Sequence, residues 1–428
     1  MENLFKLFYE TSGVCTDTRK IEKDCLFICL KGANFNGNTF AAQALQEGAK
    51  HVIVDEAQFQ TSESIHLVDD CLGFLQQLAN HHRKKFDIPV IGITGSNGKT
   101  STKELINAVL SKKYSVLATK GNLNNHIGVP LTLLQLKQHH EIAIIEMGAN
   151  RFKDIEELCT IAEPNYGIIT NIGKAHLEGF GSFDGVLKTK RELYESLEFH
   201  GGTIVFNSDD LILTDNLPGN IKHFSYGTGE QANVIGNLIG LTPFVKLSYK
   251  TGNYSSPVLE AGMVGKYNFY NYLAAISFGI LFDVPYNRIN DAITGYVPEN
   301  NRSQVKKTER NTLILDCYNA NPTSMRSALE SFAMIDHPDK CFIIGDMLEL
   351  GEQSDSEHKQ IIEFSQRQGL VGYTVGPLFH DHVSPNIMGS FATREEMISH
   401  LQSHPIKGKL LLLKGSRGIG LEILEDSL

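Results

Sequence analysis

The spacing of apolar positions along the chain divides it into three sections. Residues 26–32 (LFICLKG) and 51–55 (HVIVD) are short apolar, β-branched runs of strand type. Between them NTFAAQALQEGA has a helical repeat, closed by Gly48 as a C-cap. The basic cluster at 81–85 and then Pro89 read as a linker, so the first section should end near residue 86 and hold one helix. From Ile88 the rhythm becomes strand, loop, helix. IPVIGIT, EIAIIEMG, YGIITNIG and GTIVFN are buried-strand runs, and TSTKELINAVLSKKY is a helix. That alternation predicts a mainly parallel α/β sheet. A third section starts near Val297, where NTLILDCY, KCFIIGDM, GYTVG and KLLLLKGS again alternate with helices. It should be a smaller doubly wound domain. The expected fold class is α/β throughout.

A chain of 428 residues is too long for one core, and 41% hydrophobic residues suffice to build several. Its 39 basic and 49 acidic residues leave a formal charge of −10, which argues against general nucleic-acid binding. The start carries Glu2 and no long apolar stretch, so it is not read as a secretory signal. No apolar run is long enough to span a membrane, and a cytoplasmic location without membrane insertion is expected. The seven scattered cysteines fit reduced, mostly buried thiols, and Cys25 and Cys29 lack a second pair that would make a zinc site.

The strongest local signal is Gly92-Ile-Thr-Gly-Ser-Asn-Gly-Lys-Thr-Ser101, between a strand and a helix. Gly95 and Gly98 let the backbone curl around Ser96 and Asn97 so that N–H groups face phosphate oxygens. Lys99 can reach the β and γ phosphates, and the Thr100 or Ser101 hydroxyl can reach magnesium. Position 93 is Ile rather than the glycine of the general phosphate-loop pattern, so the strand–helix context carries the reading.

That loop, followed by Thr119-Lys-Gly-Asn-Leu-Asn-Asn-His-Ile-Gly-Val-Pro130, resembles the Mur ligases, the ATP-dependent amide ligases of peptidoglycan synthesis. Asp316-Cys-Tyr-Asn-Ala-Asn-Pro322, Gly345-Asp-Met-Leu-Glu-Leu-Gly351 and Lys414-Gly-Ser-Arg417 are similar to the members that join D-alanyl-D-alanine to UDP-N-acetylmuramoyl-tripeptide. The resemblance implies three domains: a small N-terminal UDP-sugar domain (1–86), a central P-loop ATPase domain with a parallel sheet (87–297) and a C-terminal Rossmann-like domain (298–428). It also implies a cytoplasmic enzyme, expected to be a monomer. The Asp-Asn-Pro-Arg motif of the ligase that adds the third peptide residue is absent. Another Mur-type amino-acid ligase is the alternative within the family. A nucleotide switch, the alternative outside it, would leave the first and third sections without a purpose. Two positions depart from the family pattern, Tyr267 before Asn268 and Asn301 before Arg302.

Amide formation from a carboxylate needs activation, and the phosphoryl group and the carboxylate are both anionic, so metal and cationic groups are required. Glu146 ends an apolar strand at the edge where α/β sites lie, and its oxygens suit magnesium. His176 follows another strand; the residue alone favours an ordinary packing role, and the resemblance makes it a ligand of a second magnesium. Lys190 alone reads as part of a solvated basic face. The resemblance implies that it is carbamoylated into an anionic ligand, and its place two residues before Glu192 fits better than that of Lys188. Asn268, Asn271, Asn319 and Asn321 can serve adenine or ribose, and Arg302 can serve phosphate. Thr18, Arg19 and Lys31 lie in segments similar to the UDP-muramoyl-binding ones. Asn122, Asn124, Asn125, Asp346, Lys414 and Arg417 complete the expected substrate contacts.

Overall fold

The structure is a computed structural model that describes residues 2–175, 177–299, 301–382 and 384–428. His176, expected as a metal ligand, lies outside the described residues. The chain divides into two compact units, one of residues 1–93, 114–149 and 153–166 and the other of 94–113, 150–152 and 167–428.

In the first unit four short strands pair in parallel in the order Val14–Cys15, Leu26–Ile28, His51–Val54, Ile65–Leu67. The two outer strands escape the sequence reading because two or three residues are too few to show alternation. The section also holds three helices rather than one: Glu2–Tyr9, Ala41–Gln46 and Cys71–Arg83. The expected linker at 81–85 is a correction. Its first residues are the last turn of the 13-residue helix that Asp70 caps through the Leu72 and Gly73 amides. Arg83 is buried, donating to the carbonyls of Phe86, Ala162 and Glu163 at 2.9–3.2 Å. A basic residue here is an internal brace rather than a solvated one. Val116–Ala118, Ile142–Glu146 and the Val90 strand pair in parallel, and Glu146 stands opposite Ile93, the residue before the phosphate loop.

In the second unit the Thr203–Asn207 and Lys222–Gly227 strands are parallel, as expected, but the pattern then reverses. Val234–Gly240, Phe244–Thr251, Tyr254–Ser255 and Leu259–Val264 form antiparallel pairs. The sheet is mainly parallel as expected; the antiparallel strands escape the sequence reading because, half-exposed, they carry fewer apolar residues than the buried runs it relied on.

The last section is a six-stranded sheet in the order Gln304–Lys307, Thr312–Asp316, Leu410–Lys414, Lys340–Gly345, Gly372–Val375, Ile387–Phe391, all parallel except the first pair. Alternate strand residues face opposite sides. Ile314, Phe342, Ile344, Leu410 and Leu412 meet Met325, Leu329, Phe332 and Ile361 of two helices. Leu313, Leu315, Ile343, Leu411 and Leu413 meet Met397 and Leu401 of another. Helices on both faces explain why these strands read as continuous apolar runs.

Candidate active site

The residue types of the phosphate loop dictate its conformation. Gly95 and Gly98 take φ of +139° and +80°, which L side chains rarely adopt. The loop is bolted to the segment after the Tyr166–Ile169 strand. The Thr170 hydroxyl and the Asn171 amide donate to the Asn97 carbonyl at 2.6 and 2.9 Å. The Asn97 amide donates to Asn171 Oδ1 at 3.0 Å. Ser96 Oγ donates to the Gly173 carbonyl and accepts from its amide. A Cβ on Gly95 would overlap the Thr170 side chain, and one on Gly98 would meet Asn271 Oδ1 at 3.0 Å. Gly95→Ala is therefore expected to push the loop off its support. Nucleotide affinity, followed by calorimetric titration with ADP, should fall at least about tenfold, the equivalent of one charge-assisted hydrogen bond to phosphate.

Gly98 starts the Lys99–Leu110 helix, whose amino end supplies N–H groups and a positive dipole to an anion. Lys99 Nζ rests 2.7 Å from the Gly95 carbonyl and 3.3 Å from that of Ser96, folded over the loop. Thr100 and Ser101 are buried on the first turn.

The asparagines assigned to the nucleotide form a relay. Asn268 donates to the Val264 carbonyl at 2.7 Å, Asn271 donates to Asn268 Oδ1 at 2.8 Å, and Thr102 donates to Asn271 Oδ1 at 3.1 Å. Asn268 is buried within its own helix and acts on the loop through Asn271, so direct contact with adenine is not its position. Asn321 caps the Pro322–Met334 helix through Ser324, and its Nδ2 reaches Asn97 Oδ1 at 2.7 Å. Asn319 is exposed. The Arg302 guanidinium lies 3.5 Å from the Tyr318 ring centroid and that of Arg417 5.5 Å, so one aromatic ring holds two cations. Arg302 sits between Asn301 and Ser303, both left-handed, and Ser303 is buried against the Tyr267 hydroxyl at 2.8 Å. The contacts of Tyr267 with Ser303 and of Tyr318 with Arg302 and Arg417 are ones the sequence reading did not foresee.

Other assignments change. Lys414 is buried, with its ammonium 2.7 Å from Asp316 and 3.3 Å from the Asn319 carbonyl, so it is spent on the sheet end. Asp346 is also buried, accepting from the Leu378 and Phe379 amides at 2.9 Å. Burial raises its pKa, opposed by those two donors. It braces the first turn of the Pro377–His380 helix. Asn125 caps the Gly128–Leu133 helix by accepting from the Ile127 and Gly128 amides.

In the first unit Asn124, expected on substrate, donates to Glu146 Oε1 at 2.9 Å. Glu146 itself is 2% exposed, and its backbone amide donates to the Thr119 hydroxyl at 3.0 Å. Asn122 is exposed. Arg19 grips Asp17 through two bonds and holds its carboxyl down at about 2; Thr18 lies between them. Lys31 pairs with Asp55 at 2.9 Å and Glu56 at 3.1 Å.

Lys190 is 2% exposed on the Phe183–Phe199 helix, 5.6 Å from the Phe180 ring centroid, whereas Lys188 is exposed. The solvated-face reading of Lys190 is thereby removed. Among the described residues no three His, Cys, Asp or Glu side chains gather into a ready-made metal cluster. The Glu146 carboxylate in the first unit and the Thr100 hydroxyl in the second are each oxygen donors. Both are hard oxygens suited to magnesium, which keeps several waters and shares itself with phosphates.

The Mur ligase middle domain family matches residues 93–279, the glutamate ligase domain of Mur ligases 301–417, and the Mur ligase catalytic domain family 10–83. The UDP-N-acetylmuramoyl-tripeptide–D-alanyl-D-alanine ligase of Bacillus subtilis (strain 168) is 34% identical, covering 97% of this chain and 92% of its own. The enzyme of that name from Escherichia coli (strain K12) is 32% identical, covering 96% and 92%. Among solved structures, MurF of Acinetobacter baumannii superposes with a TM-score of 0.89 at 29% identity, covering 99% of this chain and 97% of that one. MurF of Thermotoga maritima in complex with ADP gives 0.89 at 26% identity, covering 100% and 98%.

Proposed function

This chain belongs to the Mur ligase family, and from that membership we propose the reaction its site performs. It joins D-alanyl-D-alanine to UDP-N-acetylmuramoyl-tripeptide with ATP, giving the pentapeptide, ADP and phosphate. The observation that carries the reading is the braced phosphate loop, whose Asn97 is bonded to Asn171 in one section and to Asn321 in another. A nucleotide held there is in reach of groups from both.

The terminal carboxylate of the tripeptide attacks the γ-phosphorus, ADP leaves, and an acyl phosphate forms. The dipeptide amine then attacks the acyl carbon, loses a proton, and expels phosphate. Lys99 exchanges the Gly95 and Ser96 carbonyls for phosphate oxygens, offsetting charge that develops during transfer. Arg302, fixed on Tyr318, adds a planar fork for phosphate. Glu146, Thr100 and His176 are the residues that would ligate magnesium ions, and such ions would neutralise the phosphates. Lys190 serves as a carbamate, because a buried ammonium beside a metal site would repel the ion. Thr18, Arg19 and Lys31 of the first section and Asn122 of the central one serve the UDP-muramoyl substrate. The domain boundaries lie at 86 and 297, and the enzyme acts as a monomer in the cytoplasm.

The test is phosphate release with ATP and magnesium across UDP-muramoyl peptides and acceptors. Turnover is expected only with the tripeptide and D-alanyl-D-alanine together. Equal turnover with UDP-muramoyl-dipeptide and a single amino acid would sink the assignment.

A further inference from the structure

We propose that a charged cavity beside the phosphate loop binds the acceptor dipeptide, with its carboxylate on Arg326 and its amino end toward Glu357. The inference rests on the reaction proposed above. The cavity is open to solvent on one side and has a volume of about 430 Å³, within the range of small-molecule sites. It is lined by Gly173 and Lys174 from the segment after the Tyr166–Ile169 strand, by Thr323 and Arg326 of the Pro322–Met334 helix, and by Glu357 and Gln360 of the Ser354–Arg367 helix.

Its position is the first argument. The acceptor amine must reach a carbonyl carbon next to the transferred phosphoryl group, so its site has to share a wall with the phosphate loop. Gly173 exchanges two hydrogen bonds with Ser96 of that loop. Thr323 lies two residues beyond Asn321, which reaches Asn97. The Lys174 amide donates to the Thr323 hydroxyl at 3.1 Å, tying the two walls together.

Charge is the second argument. Lys174 Nζ lies 2.6 Å from Glu357 Oε1; Glu357 is 2% exposed while Lys174 keeps access to solvent. Arg326 Nη2 donates to Gln360 Oε1 at 2.8 Å, which uses one of the five N–H groups a guanidinium carries. Two cations and one carboxylate around a small cavity match a zwitterion with a carboxylate at one end and an ammonium at the other. The guanidinium fork suits the carboxylate, and Glu357 can exchange Lys174 for the dipeptide ammonium. By contrast, Lys414 and Asp346, the sequence-based candidates, are occupied by Asp316 and by backbone amides.

The test compares D-alanyl-D-alanine with its C-terminal amide, which lacks the carboxylate, in the full-length enzyme and in Arg326→Ala and Arg326→Lys. Arg326→Ala should raise KM for the dipeptide about tenfold to a hundredfold, the worth of a charge-assisted hydrogen bond, with KM for ATP unchanged. The unaltered enzyme should prefer the acid over the amide, Arg326→Ala should lose that preference, and Arg326→Lys should recover part of it. A purely structural Arg326 would lower Tm and leave the acid-to-amide ratio untouched, and that result overturns the proposal. So does an amide used as well as the acid by the unaltered enzyme. If the unaltered enzyme fails with D-alanyl-D-alanine altogether, the reaction assignment falls first and this site with it.

Discussion

Lys99→Ala is expected to turn over at least about a hundredfold more slowly than the unaltered chain, the loss that follows removal of one preorganised group from the transition state. The Lys99 ammonium donates to the Gly95 and Ser96 carbonyls, but the loop has further supports. Asn97 and Ser96 are fixed by Thr170, Asn171 and Gly173, and Gly95 and Gly98 provide the curl. Removing the side chain beyond Cβ should leave the backbone in place. Thermal unfolding should therefore be nearly unchanged while phosphate release collapses. Loss of turnover together with loss of folding would say that the contacts to the Gly95 and Ser96 carbonyls are structural. Near-normal activity in a folded variant would remove Lys99 from the mechanism.

The second large effect concerns Lys190. Its burial sets it apart from Lys188 only two residues away. A lysine with 2% exposure is costly as an ammonium, and reaction with carbon dioxide turns it into an anion with two oxygens. Lys190→Ala should lose turnover about a hundredfold or more, comparable to loss of a preorganised electrostatic group. Affinity for ADP should stay close to normal. Lys190→Arg should fail as badly, since it keeps a cation but cannot be carbamoylated. With ¹³C-bicarbonate the unaltered protein should show a carbamate resonance that Lys190→Ala lacks. Full activity of Lys190→Arg would mean that positive charge, not a carbamate, is needed there.

What could be read from the sequence depended on how local the signal is. The phosphate loop was legible because its glycines, lysine and hydroxyls are contiguous and lie between a strand and a helix. The last section was legible because both faces of its sheet are covered, so its strands are unbroken apolar runs. Arg83 was misread because a basic residue near a proline looks solvated until the carbonyls it braces, from distant parts of the chain, are placed around it. Asn124 and Asp346 fell in motifs of the right type, but their partners, Glu146 and the Leu378 and Phe379 amides, lie 22 and more than 30 positions away. The cavity at Arg326 has no contiguous signature at all. Its charges come from three separate elements, and nothing in the spacing of Lys174, Arg326 and Glu357 distinguishes them from solvated surface residues.

The grip on Asn97 also bears on how the protein ages. Asn followed by Gly, as at 97–98, is the setting in which an asparagine side chain is most readily lost, because glycine leaves its own backbone nitrogen unshielded. Ring closure requires that nitrogen to swing onto the Asn97 side-chain carbon. Thr170 and Asn171 clamp the Asn97 backbone on both sides, and Asn321 holds the side-chain oxygen. The intact fold thus shields this perishable bond. A preparation that partly unfolds in storage loses this protection and acquires an aspartyl or isoaspartyl carboxylate where phosphates must sit. Refolding it would restore the shape without the activity, and an acidic charge variant would accumulate in step with the loss.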